Sequence, residues 1–136
     1  IAEGHVEKME TALREKLPEL SLHDAVDVLI DQFYDFYRTE PAYSAIWSGV
    51  ESMPELRELD LRELYSNARD LDARLQQEYP ALPKERSWTA RLLLPRSAGT
   101  ILRLAATLPD DQGQQLVVEL KCMARAYLAE LARQER

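Results

Sequence analysis

Apolar side chains recur mostly at steps of three and four along this chain, and no stretch alternates apolar with polar residues for long enough to make a strand. The pattern predicts an all-α protein, a bundle of about six helices divided by seven prolines. A first helix over 2–17 places Val6, Met9, Leu13 and Leu17 on one face and ends at Pro18. A second over 22–39 starts with Ser21 as N-cap and Asp24 three residues on, where a carboxylate favours the positive end of the helix dipole. Its apolar face is rich: Leu22, Val26, Leu29, Ile30, Phe33, Phe36 and Tyr37. Asp24, Asp27, Asp31 and Asp35 fall on the opposite side, which is expected to face water. Pro41 then opens a short helix over 42–50 carrying Tyr43, Ile46 and Trp47.

Ser52-Met-Pro-Glu55 reads as another helix start, with Ser52 as N-cap, Pro54 in the first turn and Glu55 closing a capping box. That helix is expected to reach Tyr79 and to bury Leu61, Leu64, Tyr65, Ala68, Leu71 and Leu75. After the loop at Pro80 and Pro83, a fifth helical segment over 84–107 contains Pro95, which removes a backbone hydrogen bond and is expected to kink or split it. Pro109 closes the segment, and Asp110 or Asp111 can cap a final helix ending near Arg133. The fifth segment presents Leu94, Ala98, Ile101, Leu102, Ala105 and Leu108, and the small Ala98 and Gly99 would let another helix come close. The last presents Leu116, Leu120, Met123, Tyr127 and Leu131, widened by Val117, Ala124 and Leu128. Two broad apolar faces suit either a core or a symmetric helix-bundle interface, and periodicity alone favours the core.

Composition narrows the class. The chain has 136 residues, enough for one domain. No uncharged apolar run is long enough to cross a bilayer as a helix, and no secretory signal pattern is present. A single cysteine, Cys122, excludes a disulfide framework and a cysteine-based zinc site. The formal net charge is −7, against a nucleic-acid-binding role for the chain as a whole. The charge is uneven: residues 1–80 carry a net −10 and residues 81–136 a net +3. A start at Ile1 rather than Met is expected of a piece of something longer.

Catalytic signatures are weak. His5 and His23 are the only histidines, and the inward Glu-x-x-His pairs of helical di-iron proteins are missing. No nucleophile elbow, phosphate-binding loop or dinucleotide fingerprint occurs. No enzymatic activity, cofactor or metal is therefore expected, and Cys122 reads as a small hydrophobe. The aromatic set stands out instead: Phe33, Tyr34, Phe36, Tyr37, Tyr43, Trp47, Tyr65 and Trp88. These are either core residues or the lining of an apolar cavity, in which hydroxyl and indole donors orient a small molecule near Trp47, Tyr65 and Trp88.

The stretch Phe33-Tyr-Asp-Phe-Tyr-Arg-Thr-Glu-Pro-Ala-Tyr-Ser-Ala-Ile-Trp47 resembles the FYR-x-x-P-x-x-x-x-(L/I)-W segment of the effector-binding domain of TetR-family transcriptional regulators. Met53-Pro-Glu-Leu56 before a long amphipathic helix, and Leu120-Lys-Cys-Met-Ala-Arg-Ala-Tyr-Leu128 near the end, are also similar to that domain. The resemblance implies one effector-binding and dimerisation domain over 1–136. Within it, 1–17 would be the connecting helix, 21–83 the pocket helices and 84–136 the dimerisation helices. It implies a homodimer whose last two long helices pair as a four-helix bundle through Ala98, Ile101, Leu102, Leu116, Leu120, Met123, Tyr127 and Leu131. It implies a small apolar or aromatic effector contacted by Phe33, Tyr37, Trp47, Tyr65 and Trp88. Operator DNA would be reached only through an N-terminal helix-turn-helix that this sequence lacks, in a cytoplasmic bacterial regulator without a membrane partner. A helical protein-interaction module with no small-molecule ligand is the competing expectation.

Overall fold

A computed structural model describes residues 19–39 and 53–135. The expected helices over 2–17 and 42–50, and with them Trp47, lie outside the described residues. Four helices make up the described chain: α1 (Leu22–Thr39), α2 (Pro54–Glu78), α3 (Lys84–Ala106) and α4 (Asp110–Glu135). No strand occurs among the described residues. Helix α3 packs against the other three, and α1 lies against both α3 and α4.

The helix starts obey local chemistry, with two differences from expectation. Ser21 caps α1: its Oγ accepts the Asp24 N–H at 3.2 Å and its carbonyl accepts the Ala25 N–H at 2.8 Å. At α2 the N-cap is the extended Met53 rather than Ser52, and no side chain caps the helix. The Met53 carbonyl instead accepts the N–H groups of Leu56 and Arg57, and Pro54 occupies the first turn, where its missing N–H costs no bond. Asp110 and Asp111 sit inside the first turn of α4, so they act on the dipole rather than as N-caps. Helix α3 is not split at Pro95 and runs as one element on both sides of it.

Two buried clusters hold the bundle. One joins α1, α3 and α4 through Ile30, Tyr34, Leu102, Ala105, Val117, Leu120 and Ala124. The other gathers Leu22, Leu75, Leu82, Ala90, Leu128 and Leu131, and so ties α2 and the α2–α3 loop to the rest. Ala68 and Leu75 of α2 are buried as expected, whereas Leu61 and Tyr65 are exposed. Polar ties also hold the C-terminal half of α2: Ser87 donates to Asp72 at 2.7 Å, Arg91 lies 3.8 Å from Asp72, and Arg74 donates to the Leu20 carbonyl.

The acidic side of α1 is not simply solvated. Asp27 pairs with Arg125 and Asp31 with Lys121 (2.7 Å), while Arg38 lies 4.0 Å from Asp110 at the far end. Rising numbers on α1 meet falling numbers on α4, so the two helices run antiparallel with an ionic ladder along the seam. The hydrogen bond to Asp27, together with the charge of that carboxylate, raises the Arg125 guanidinium above its ordinary value.

Within the single chain the tight helix approach lies at Gly113 rather than at Gly99. A Cβ on Gly99 would meet only the flexible Arg103 side chain, at 3.1 Å. A Cβ on Gly113 would come within 2.5 Å of the Tyr34 hydroxyl and 2.7 Å of the Ala105 carbonyl oxygen. Gly113 is therefore where α1, the end of α3 and α4 touch.

Candidate functional site

Between these helices lies a cavity of about 570 Å³. Helix α1 contributes Leu22, Val26, Leu29, Ile30, Phe33 and Tyr37, one continuous face at helical spacing. Leu71 comes from α2, Leu93, Leu94, Pro95 and Ala98 from α3, and Leu120, Met123, Ala124 and Tyr127 from α4. The volume and the mostly apolar wall with a few polar groups are those of a small-molecule site. The small Ala98 and Gly99 leave space on the α3 side that larger side chains would fill.

An aromatic strip forms one part of the wall. The rings of Phe33 and Tyr37, one turn apart, have centroids 6.0 Å apart and are tilted by 35°. Phe36 meets Tyr37 edge-on at 6.1 Å. Polar character is concentrated on α2, where Asp70, Arg74 and Gln77 follow at helical spacing; Ser97 of α3 adds a hydroxyl. Arg74 is held by the Leu20 carbonyl and by Glu78, 3.2 Å away.

Of the five residues expected to contact an effector, Phe33 and Tyr37 line this cavity and Trp47 lies outside the described residues. Tyr65 and Trp88 do not line it: they are 58% and 55% exposed, and Trp88 carries the Arg91 guanidinium over its ring at 5.9 Å. The residues expected at a dimer interface divide differently. Ala98, Leu102, Leu120, Met123 and Tyr127 all line the cavity. Leu102, Leu120 and Leu131 are buried within the single chain, where their surface is already used by its own core. Ile101 and Leu116 pack half-buried against that core, and Met123 is exposed. Cys122 is exposed rather than a core hydrophobe.

Sequence reasoning took Leu22, Val26, Leu29 and Ile30 only as a core face and did not single out Asp70, Arg74 or Gln77. The signal for the latter was present, since all three recur on a helix that also carries Leu71 and Leu75. Among the described residues no group of three or more His, Cys, Asp or Glu side chains could hold a metal ion, and no helix is long and apolar enough to cross a membrane.

Residues 20–132 match the family described as tetracyclin repressor-like, C-terminal domain. The chain belongs to this family. Neither a curated protein nor a solved structure matches it. As a tetracyclin repressor-like C-terminal domain, it is a regulatory domain of the effector-binding and dimerisation type. Domains of the family typically dimerise, bind small-molecule effectors and are generally non-enzymatic.

Proposed function

We infer that this tetracyclin repressor-like domain senses a small, largely apolar effector within the four-helix cavity. In this reading it works as a homodimer and passes the bound state through residues 1–17 to a DNA-binding region of the full regulator. The observation that carries the reading is the cavity itself, an apolar volume of about 570 Å³ walled by all four described helices. Phe33 and Tyr37 are its aromatic contacts. Helices α3 and α4 serve both as pocket wall and as dimerisation elements, with Ile101, Leu116 and Met123 offering the surface that a second copy can use.

An effector shifts a regulator only if it binds one arrangement of the helices better than another. Helix α1 is suited to report such a difference. Its apolar face lines the cavity, while Tyr34, Asp27 and Asp31 hold it against Gly113, Arg125 and Lys121 of α4. Filling the cavity would press on α1 and load that seam.

Thermal denaturation with a panel of small apolar molecules tests the reading. At least one should raise the melting temperature, and Ala98→Phe, which places a large ring in the cavity, should remove the effect. No stabilisation by any of them would instead favour a protein-interaction module working through the exposed Tyr65 and Trp88. Light scattering should give about twice the 15.7 kDa chain mass; a clean monomer at micromolar concentration would remove the dimer from the proposal.

A further inference from the structure

The polar groups of the cavity wall differ in whether the chain already uses them, and this bears on what its ligand carries. The two ionised side chains, Asp70 and Arg74, are both engaged within the chain; Arg74 pairs with Glu78 at 3.2 Å and donates to the Leu20 carbonyl. The hydroxyls of α3 divide differently. Helix α3 carries Ser87, Thr89, Ser97 and Thr100. Ser87 donates to Asp72 at 2.7 Å, Thr89 to the Glu85 carbonyl at 2.8 Å and Thr100 to the Arg96 carbonyl at 2.9 Å. The last two bonds are the common resort of a hydroxyl inside a helix, which turns back to the carbonyl one turn earlier. Ser97 is the one of the four that lines the cavity, and it has no such bond among the described residues.

Nor is the Ser97 hydroxyl sealed in. Among the described residues the enclosed side-chain atoms without a partner are the Tyr34 hydroxyl and the Nε atoms of Arg86 and Arg91, so the Ser97 oxygen stays open to the cavity. On the same helix the wall continues as Leu93, Leu94 and Ala98, and the small Ala98 and Gly99 leave room for a ligand there. A ligand that displaces water from an open hydroxyl must return its hydrogen bond or lose affinity. An unmet donor is tolerated less well than an unmet lone pair, so the group required is an acceptor. It is also uncharged, because an anion placed between apolar side chains and one hydroxyl would lose its hydration without a free counter-charge.

We propose that the cavity takes an uncharged lipophile bearing a carbonyl group, of the ketone or ester class: its body lies along Leu29, Phe33 and Leu94, and the Ser97 hydroxyl donates to its carbonyl oxygen. The proposal rests on the effector reading above and adds the ligand's charge and the group it presents to α3. Tyr127 of α4 is another hydroxyl of the wall with no bond among the described residues, but its ring packs against the second buried cluster. Ser97, next to the space at Ala98 and Gly99, is therefore the donor.

The test uses three probes of one shape: 5-phenylpentan-2-one, the alkene in which a methylene replaces its carbonyl oxygen, and 4-phenylbutyrate. Each is titrated into the protein at neutral pH and followed through the methyl signals of Val26 and Leu94. Ser97→Ala should weaken the ketone about fivefold, the size of one neutral hydrogen bond, and leave the alkene unchanged. The carboxylate should bind more weakly than the ketone in the parent. Alanine is the better helix former, so the variant should keep the parent's unfolding transition, and the unchanged alkene affinity reports an intact cavity. A ketone affinity that survives Ser97→Ala, a loss found only in Tyr127→Phe, or a carboxylate that binds tighter than the ketone overturns the proposal alone. If none of the three binds, the effector reading fails with it.

Discussion

Gly113 and Tyr34 face each other where α1, α3 and α4 leave no room for another side chain, and each makes a separate prediction. A methyl group at position 113 would strike both the Tyr34 hydroxyl and the Ala105 backbone oxygen, and the backbone oxygen has little freedom to move. Gly113→Ala should therefore destabilise the fold by about 2–3 kcal/mol in urea denaturation, although alanine is the better helix former. Retained stability would mean that α1 and α4 are further apart than described. The Tyr34 hydroxyl is buried with no hydrogen-bond partner among the described residues. Tyr34→Phe should leave stability unchanged or raise it by up to about 1 kcal/mol in the same assay, because the deleted group has its hydration removed without a bond in return. Leu120 shows how burial changes the meaning of a variant. It first reads as an interface position, and Leu120→Asp would then split a dimer. Enclosed in the core of one chain and lining the cavity, it should instead lose about 4 kcal/mol or more, so circular dichroism should report unfolding before light scattering reports monomers.

For single helices, periodicity was a good guide to where they lie and a poorer one to what covers each face. The bounds of α1, α2, α3 and α4 follow the prolines and the three-four spacing to within a residue or two, because helix starts and stops are local chemistry. Coverage is not local. The aspartates of α1 read as a wet face because nothing in the pattern says that Lys121 and Arg125, some ninety positions later, are laid antiparallel beside them. Asp27→Asn should lower the melting temperature, and the difference from the parent should shrink as salt rises from about 0.1 to 1 M, because the lost contact is partly exposed and therefore screened. A difference independent of salt would point to packing rather than charge. Tyr65 and Trp88 show the same limit from the other side: aromatic type argued for a wall, but both are exposed and neither lines the cavity of the described helices. Pro95 inside α3 is the clearest cost within an element. Pro95→Ala restores a donor to the Arg91 carbonyl and should stabilise the domain by about 1–2 kcal/mol against urea. A loss of stability would show that the proline ring is needed as part of the cavity wall.

Taken as a whole, the molecule joins what its sequence presented as separate parts. Residues 21–83 read as pocket and 84–136 as dimerisation elements, whereas the cavity takes its wall from both. A cavity walled by four helices draws on four faces, and the apolar stripes of α3 and α4 are broad enough to serve more than one contact. The fold class could be read from spacing and prolines. Phe33 and Tyr37 could be read from the motif they belong to. The polar stripe of Asp70, Arg74 and Gln77 could be read as one face of a helix, but its place in the cavity wall depends on where α2 packs. The uneven charge also gains a place: α1 and α2 belong to the acidic portion, and two of the α1 aspartates pair with Lys121 and Arg125 of α4. The most direct measurement is a methyl NMR titration with phenylbutanol, which reads where a ligand lies rather than only whether one binds. The methyl groups of Val26, Leu29 and Leu94 should shift together and saturate at one ligand per chain, while those of Leu82 and the exposed Val118 stay in place. Shifts centred on Leu61 or Val118, with the cavity methyls unmoved, would contradict a ligand site among the four helices.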